Sequence, residues 1–128
     1  MQSAHALIID DNANNIAVLA TLLEQQGLTT TSVSSLRLMS TALDETPKVD
    51  IIFLDLEFPN GDGFDTFRSL KADPRLVKVP VVAYSVHISE IDRARREGFQ
   101  GFLGKPLDAK RFPAQLERLL SGIPVWEM

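Results

Sequence analysis

The chain has 128 residues, a formal net charge of −4 and no cysteine, and 45% of its residues are hydrophobic. This length and composition are typical of one soluble domain with a sizeable core. The acidic balance argues against direct nucleic-acid binding, and the lack of cysteine excludes disulfides, thiolate metal sites and a thiol nucleophile. No apolar run reaches the roughly 18 residues that span a bilayer, so we expect a cytoplasmic protein without membrane contact.

Strand and helix patterns alternate along the chain. Apolar or β-prone segments predict strands over residues 6–9, 28–33, 50–55, 79–84 and 101–103. Helical spacing of apolar residues predicts helices over residues 15–26, 35–45, 64–72, 89–98 and 108–121. The second strand is polar, which indicates a sheet edge. Asn12 or Asn14 is a candidate cap of the first helix, and Ser89 with Asp92 resembles a capping box for the fourth.

This order predicts an α/β fold with a doubly wound, five-stranded parallel sheet. We expect a (βα)5 chain with the flavodoxin-like strand order 2-1-3-4-5, which makes strands 1 and 3 central neighbours. Residues 1–122 should form this domain. Residues 123–128 are apolar and do not continue the last helix, so we expect a C-terminal tail that packs on the domain, contacts a partner or begins a linker.

Acidic side chains stand at the ends of two predicted strands. Asp10 and Asp11 follow strand 1, and Asp55 ends the apolar strand 3. Because the carboxyl ends of parallel strands meet at one edge, these carboxylates should converge. Such a cluster needs a proton or a cation, and all-oxygen ligands favour Mg²⁺ or Mn²⁺. A solvated cap on the first helix is the alternative, and it explains one aspartate better than three.

Strands 4 and 5 deliver a hydroxyl and an amine to the same edge. These are Ser85 and Lys105, and Pro106 restricts the backbone of the lysine. A metal, a lysine and a hydroxyl around a free carboxylate can hold a phosphoryl group, whose transfer requires positioning and charge neutralisation. Asp55 is then the carboxylate nucleophile that forms an aspartyl phosphate, and Lys105 is a point charge on the phosphoryl oxygens.

These residues resemble the receiver domain of two-component response regulators of the chemotaxis-regulator type. The matching positions are Asp10-Asp11, Asp55 in Asp-Leu-Glu-Phe-Pro-Asn-Gly-Asp-Gly, Ser85 and Lys105-Pro106, within residues 5–121. The resemblance implies that Asp55 accepts a phosphoryl group in a phosphorelay. The donor it implies is a phosphohistidine of a sensor histidine kinase or a histidine phosphotransfer protein.

The resemblance also implies a role for each matching side chain. Asp11, Asp55 and the backbone carbonyl of Glu57 would bind Mg²⁺, and Asp10 would act mostly through water. Ser85 and Lys105 would hold the phosphate. Such a domain is a signalling switch rather than an enzyme, although it catalyses its own phosphorylation and slow dephosphorylation.

Phe102 lies three residues before Lys105, at the aromatic switch position of this family. Phosphorylation is expected to draw Ser85 inward, with Phe102 following, and to remodel the face formed by helix 4, strand 5 and helix 5. In the family this face binds partners or a second protomer, so a homodimer is one expectation. Basic residues on these helices either belong to that interface or form a solvated face: Arg93, Arg95, Arg96, Lys110, Arg111 and Arg118.

Three positions depart from the family pattern or vary within it. Val86 follows the hydroxyl where the family usually has Ala or Gly, and it either narrows access to the phosphate or packs harmlessly. Glu57 and His87 flank the phosphate, and they either tune the lifetime of the aspartyl phosphate or are solvated loop side chains.

Two other functions remain open from the sequence. One is a protein-interaction module that works without phosphorylation, although an intact acid set argues against it. The other is a phosphatase of the haloacid dehalogenase type, which requires Asp-x-Asp after strand 1 where this chain has Asp-Asp-Asn. The sequence names neither the cognate kinase nor the output, and we expect either a single-domain regulator or an output domain on another segment.

Overall fold

The computed structural model describes residues 4–46, 48–58 and 63–127. Residues 59–62 of the loop after Asp55, Pro47 at the expected end of the second helix, and Met128 lie outside these ranges. The strands are β1 (His5–Ile9), β2 (Thr29–Val33), β3 (Ile51–Asp55), β4 (Val81–Ser85), β5 (Gly101–Gly104) and β6 (Val125–Glu127). The α-helices are α1 (Ala13–Gln25), α2 (Met39–Glu45), α3 (Gly63–Ala72), α4 (Ile91–Glu97) and α5 (Phe112–Leu120).

All strand pairs in the sheet are parallel, and the order is β2-β1-β3-β4-β5-β6. The predicted α/β fold and the order of the first five strands are therefore confirmed. The central strands β3 and β4 are buried along their whole length, which explains why their sequences are continuous apolar runs. The polar strand β2 lies at the edge, as its composition predicted.

The sheet has six strands where five were predicted, because part of the tail adds a strand beside β5. In this pair Gly101 lies opposite Val125, Phe102 opposite Trp126 and Leu103 opposite Glu127. A three-residue strand is too short for any periodic signal in the sequence. A glycine permits the approach, since a Cβ at Gly101 would lie 2.7 Å from the carbonyl oxygen of Val125.

Two apolar cores cover the two faces of the sheet. Helices α2, α3 and α4 pack on one face through buried residues that include Leu43, Phe67 and Ala94. Helices α1 and α5 pack on the other through residues that include Leu23 and Leu116. This arrangement follows from the right-handed crossovers of alternating strands and helices, which leave only the ends of the strands free for chemistry.

The helix ends agree in part with the caps that the sequence predicted. Asn12 caps α1 by accepting a hydrogen bond from the backbone N–H of Asn15, and Gly98 ends α4 with a φ of +107°. The capping box predicted at Ser89 is wrong, since residues 88–90 form a 3₁₀ turn and α4 begins at Ile91 without a side-chain cap from the described residues. No helix within the described ranges is long and apolar enough to cross a bilayer.

The last helix begins later than predicted, at Phe112 instead of residue 108. Asp108 forms a turn of its own, because its carboxylate accepts the backbone N–H of Lys110. Pro113 lies in the first turn of α5, where its missing N–H costs little.

Candidate functional site

The candidate site lies at the carboxyl edge of the central strands. The register pairs Ile9 of β1 with Leu54 of β3, so the next residues, Asp10 and Asp55, lie side by side at the ends of these strands. Strand β4 ends at Ser85, which lies opposite Gly104 at the end of β5. The next residue, Lys105, donates its backbone N–H to the carbonyl of Ser85 at 2.9 Å. The sheet thus brings the predicted side chains of four strands to one place.

The three aspartates converge as the topology predicted. One carboxylate oxygen from each of Asp10, Asp11 and Asp55 lies within 4.8 Å of the others. Asp10 is fully buried and Asp55 is 4% exposed, whereas Asp11 is exposed. This cluster supplies only hard oxygen donors, which suits a small divalent cation such as Mg²⁺. The residues present therefore fit the implied metal.

Lys105 provides the positive charge inside the cluster. Its Nζ lies 3.4 Å from Oδ1 of Asp55 and 3.7 Å from Oδ2 of Asp10. The lysine side chain is 13% exposed, so water screens these contacts only weakly. The amine therefore lies where a group bound to Asp55 would place its negative charge.

The pKa of the Asp55 carboxyl is raised to about 6. Burial is the main cause, and the carboxylate of Asp10 adds to it. The backbone N–H of Glu57, which donates to Oδ1 of Asp55 at 3.0 Å, and the ammonium of Lys105 act in the opposite direction. The ionised form of Asp55 is therefore stabilised mainly by the Glu57 N–H and by Lys105, and a nearby cation would stabilise it further.

Tyr84 belongs to the site although the sequence analysis treated it as a strand residue only. Its hydroxyl donates a hydrogen bond of 2.6 Å to Oδ2 of Asp10. The Nζ of Lys105 lies 4.5 Å from the centre of its ring. Burial and the neighbouring Asp10 raise the pKa of the phenol, which stays protonated. A register prediction that paired Asp55 with Tyr84 would have found it.

Ser85, Glu57 and His87 form a connected group. The Ser85 hydroxyl donates to Oε1 of Glu57 at 2.9 Å and accepts the backbone N–H of His87 at the same distance. The Nε2 of His87 lies 3.5 Å from Oε1 of Glu57. The side chains of Glu57 and His87 are about half exposed, whereas Ser85 is buried. The group therefore connects the buried hydroxyl to the surface of the site.

A cavity of about 570 Å³ opens onto the site. Its lining includes Asp11, Asp55, Glu57, Tyr84, Val86 and Lys105. The side chain of Val86 is 59% exposed, so it stands at the cavity wall without being packed in the core. The cavity gives a small anionic group access to Asp55 and Lys105.

Phe102 is fully buried, in the core that α4 covers. It lies opposite Ala83 on β4 and opposite Trp126 on β6. The structure therefore contains the ring of this predicted switch residue in a buried position.

The basic side chains of α4 and α5 are partly engaged with the rest of the domain. Arg93 lies over the ring of Phe64, with its guanidinium carbon 3.9 Å from the ring centre. Arg95 lies over the ring of Trp126 at 4.7 Å, and Arg111 pairs with Glu127. The contacts of Arg95 with Trp126 and of Arg111 with Glu127 attach the tail to α4 and to the start of α5, and the sequence did not predict them.

Comparison with known proteins gives the family. Residues 6–117 match the family model of the response regulator receiver domain, and the chain belongs to that family. It is 31% identical to the two-component response regulator ORR11 of Oryza sativa subsp. indica over 93% of this chain and 80% of the relative. It is 29% identical to the polar-differentiation response regulator DivK of Brucella ovis over 83% and 87% of the two chains.

Solved structures agree with this assignment. A response regulator from Desulfuromonas acetoxidans is 25% identical and superposes with a TM-score of 0.79, covering 92% of this chain and 97% of the other. A response regulator from Thermotoga maritima has the same fold at 15% identity, with a TM-score of 0.80 over 94% and 99% of the two chains. The resemblance inferred from the sequence is confirmed. The matched family is that of receiver domains, which are signalling switches, and not that of the dehalogenase-type phosphatases.

Proposed function

We propose that Asp55 is the phosphoacceptor of a two-component phosphorelay. The observation that carries this proposal is the position of the Lys105 amine, 3.4 Å from the buried Asp55 carboxylate. A carboxylate at the wall of an open cavity, with one cation beside it, is arranged as a nucleophile for a phosphoryl group. The donor is a phosphohistidine on a sensor histidine kinase or a histidine phosphotransfer protein.

In the transfer, an ionised carboxylate oxygen of Asp55 forms a bond to phosphorus as the phosphorus–nitrogen bond of the donor breaks. The electron pair of that bond stays on the imidazole nitrogen of the donor. Lys105 neutralises charge on the phosphoryl oxygens, and the backbone N–H of Glu57 holds Asp55 in place at 3.0 Å. The chain itself thus positions the nucleophile and neutralises charge, which is most of what phosphoryl transfer requires.

Asp10, Asp11, Asp55 and the backbone carbonyl of Glu57 would hold Mg²⁺, or Mn²⁺ in its place. Such an ion, when bound, neutralises charge on the transferred group and on the acids themselves. Asp10 already accepts hydrogen bonds on both oxygens, from the N–H of Asn12 and the hydroxyl of Tyr84. This favours Asp11 and Asp55 as direct ligands, with Asp10 acting through water.

The switch begins with a change of partner for Ser85. Its hydroxyl now donates to Glu57, and it would donate to the phosphoryl oxygens once Asp55 is phosphorylated. Phe102 and the adjoining face of α4, β5 and α5 would respond to this movement and change the affinity for a partner protein or a second copy. This is a two-state equilibrium biased by a local change of charge.

Incubation with acetyl phosphate or phosphoramidate and Mg²⁺ tests the proposal. We expect one phosphoryl group per chain by intact mass, with label that is acid-stable, base-labile and lost when EDTA removes the metal. Asp55→Asn should abolish it, whereas the control Asp65→Asn, at an exposed position on α3, should keep it. No labelling of the native chain would favour an interaction module that works without phosphorylation.

A further inference from the structure

The tail strand β6 covers the edge of β5, which would otherwise be open. An uncovered edge strand presents unpaired N–H and C=O groups, to which a further strand can add. Here residues Val125–Glu127 pair in parallel with Gly101–Leu103 of β5. The backbone of Val125 comes so close that only glycine fits at position 101 without displacement. The edge is thus shaped for an extended segment.

Side chains on both sides of β5 also contact the tail. On the α4 side, Trp126 packs against the core that contains Phe102, and Arg95 lies 4.7 Å from the ring centre. On the α5 side, the carboxylate of Glu127 accepts hydrogen bonds from Arg111 and from Nε2 of Gln115, the latter at 2.8 Å. Alternation along an extended strand directs these two neighbouring side chains to opposite faces. The groups beside the β5 edge thus contact an aromatic ring, that of Trp126, and the carboxylate of the next residue, Glu127.

The tail buries few of its side chains. Val125 is its one fully buried side chain among the described residues, and the connecting residues 121–124 are exposed. Arg111 and Arg118 are each about half exposed, so their ion pairs with Glu127 are screened by water. Because most of the tail's polar contacts lie at the surface, we expect a competing segment that supplies the same groups to be able to take its place.

We propose that the β5 edge, together with Arg95, Arg111 and Gln115, is a binding site for an extended segment of a partner protein. The segment adds a parallel strand and carries an aromatic residue followed by a carboxylate. The chain's own Val125–Glu127 occupies the site in cis, so a partner must displace it. Backbone pairing supplies affinity and the two side-chain contacts supply selectivity, as in other cases of strand addition. This site lies on the face of α4, β5 and α5 that the proposed function assigns to a partner, and the inference rests on that assignment but not on phosphorylation of Asp55.

The native chain offers a direct test, because Trp126 is its single tryptophan. The probe is an amidated peptide with the sequence of residues 122–127 in which Phe replaces Trp. As the peptide displaces the tail, the emission of Trp126 should shift saturably to longer wavelength. A control peptide with Gln in place of Glu should need at least fivefold higher concentration. Emission that stays constant up to millimolar peptide, or equal responses to both peptides, would overturn the proposal.

Direct binding gives a second test. A fluorescein-labelled peptide with the natural sequence of residues 122–127 should bind the Trp126→Ala/Glu127→Gln chain at least tenfold more tightly than the native chain. Adding Arg111→Ala should reverse most of this gain, whereas the neighbouring exposed control Lys110→Ala should not. Equal affinity for the native and tail-weakened chains would contradict occupation in cis. A native chain that dimerises by exchanging tails would show instead that the occupant is a second copy, and would overturn the assignment to a partner protein.

Discussion

The hydroxyl of Tyr84 lies 2.6 Å from Oδ2 of Asp10, and both residues are buried beneath the candidate site. The other oxygen of Asp10 accepts the backbone N–H of Asn12 at 2.8 Å. Asp10 is therefore held by donors on both oxygens before any metal binds. This leaves the Asp10 carboxylate fixed in orientation, with Lys105 as its nearest cation at 3.7 Å.

Tyr84→Phe should destabilise the domain because it removes one of these donors from a buried carboxylate. A hydrogen bond to a charged group contributes about 1.5–3 kcal/mol to stability, and we expect a loss of that order in urea unfolding. The ring remains, so its contact with Lys105 is kept. In the Asp10→Asn background the same substitution should cost much less. Equal costs in the two backgrounds would show that Tyr84 does not act through Asp10.

Asp55 should make stability depend on pH in the direction opposite to that of an aspartate whose pKa is lowered on folding, because burial outweighs its ion pair with Lys105. Its pKa is raised from 3.8 to about 6 on folding, so between these values the folded chain binds more protons than the unfolded chain. The free energy of unfolding contributed by this group therefore falls as pH rises from about 4 to about 6. A pKa difference of about two units limits this loss of unfolding free energy to about 3 kcal/mol.

The measurement is urea unfolding in EDTA at several pH values, comparing the native chain with Asp55→Asn. Other acids titrate in both proteins, so the difference between them isolates Asp55. We expect the variant to gain stability relative to the native chain as pH rises through this range. A difference that does not change with pH would show that Asp55 is ionised normally in the folded state.

Glu57→Gln and His87→Ala should each change the lifetime of the aspartyl phosphate several-fold without abolishing phosphorylation. Glu57 now holds the Ser85 hydroxyl at 2.9 Å, and His87 lies beside the same carboxylate. Both side chains are therefore placed to influence the water that hydrolyses the phosphate. Decay of the label after removal of the donor is the measurement, with half-buried Glu90→Gln on the neighbouring 3₁₀ turn as the control. Unchanged decay in both variants would show that Glu57 and His87 are solvated side chains without influence on the phosphate.

Val86→Ala should speed phosphorylation by small donors, because Val86 lines the cavity that leads to Asp55. Stopped-flow or discontinuous labelling with phosphoramidate gives the rate. The control is Val77→Ala, since Val77 is similarly exposed at 52% and does not line that cavity. Both substitutions should change stability by less than about 0.5 kcal/mol. Equal labelling rates would support the alternative that Val86 packs without consequence.

Gly101→Ala should detach the tail strand without altering the tail itself. The added Cβ would lie 2.7 Å from the carbonyl oxygen of Val125 and 3.0 Å from Cδ2 of Leu119. We expect a loss of about 1–3 kcal/mol in stability, as for overpacked sites. The emission of Trp126 should also shift to longer wavelength. Native-like emission together with native stability would mean that the backbone of β6 shifts while staying docked.

The sequence by itself determined the first five strands of the sheet and the edge at which the candidate site lies. Apolar runs such as residues 51–54, alternating with amphipathic helices, leave a parallel sheet as the arrangement that buries them. The positions of Asp10, Asp55, Ser85 and Lys105 at strand ends then follow from chain order. These features are set by local periodicity and connectivity, which a single chain displays directly.

Only the tertiary structure decided which side chains meet across strands. Tyr84 reaches Asp10, and Ser85 reaches Glu57, through strand register and side-chain direction, which the chain order leaves unspecified. The strand Val125–Glu127 depends on an edge formed by residues more than twenty positions earlier and on contacts from two helices. Three residues have no local signal of their own, so their conformation comes from the surface on which they pack.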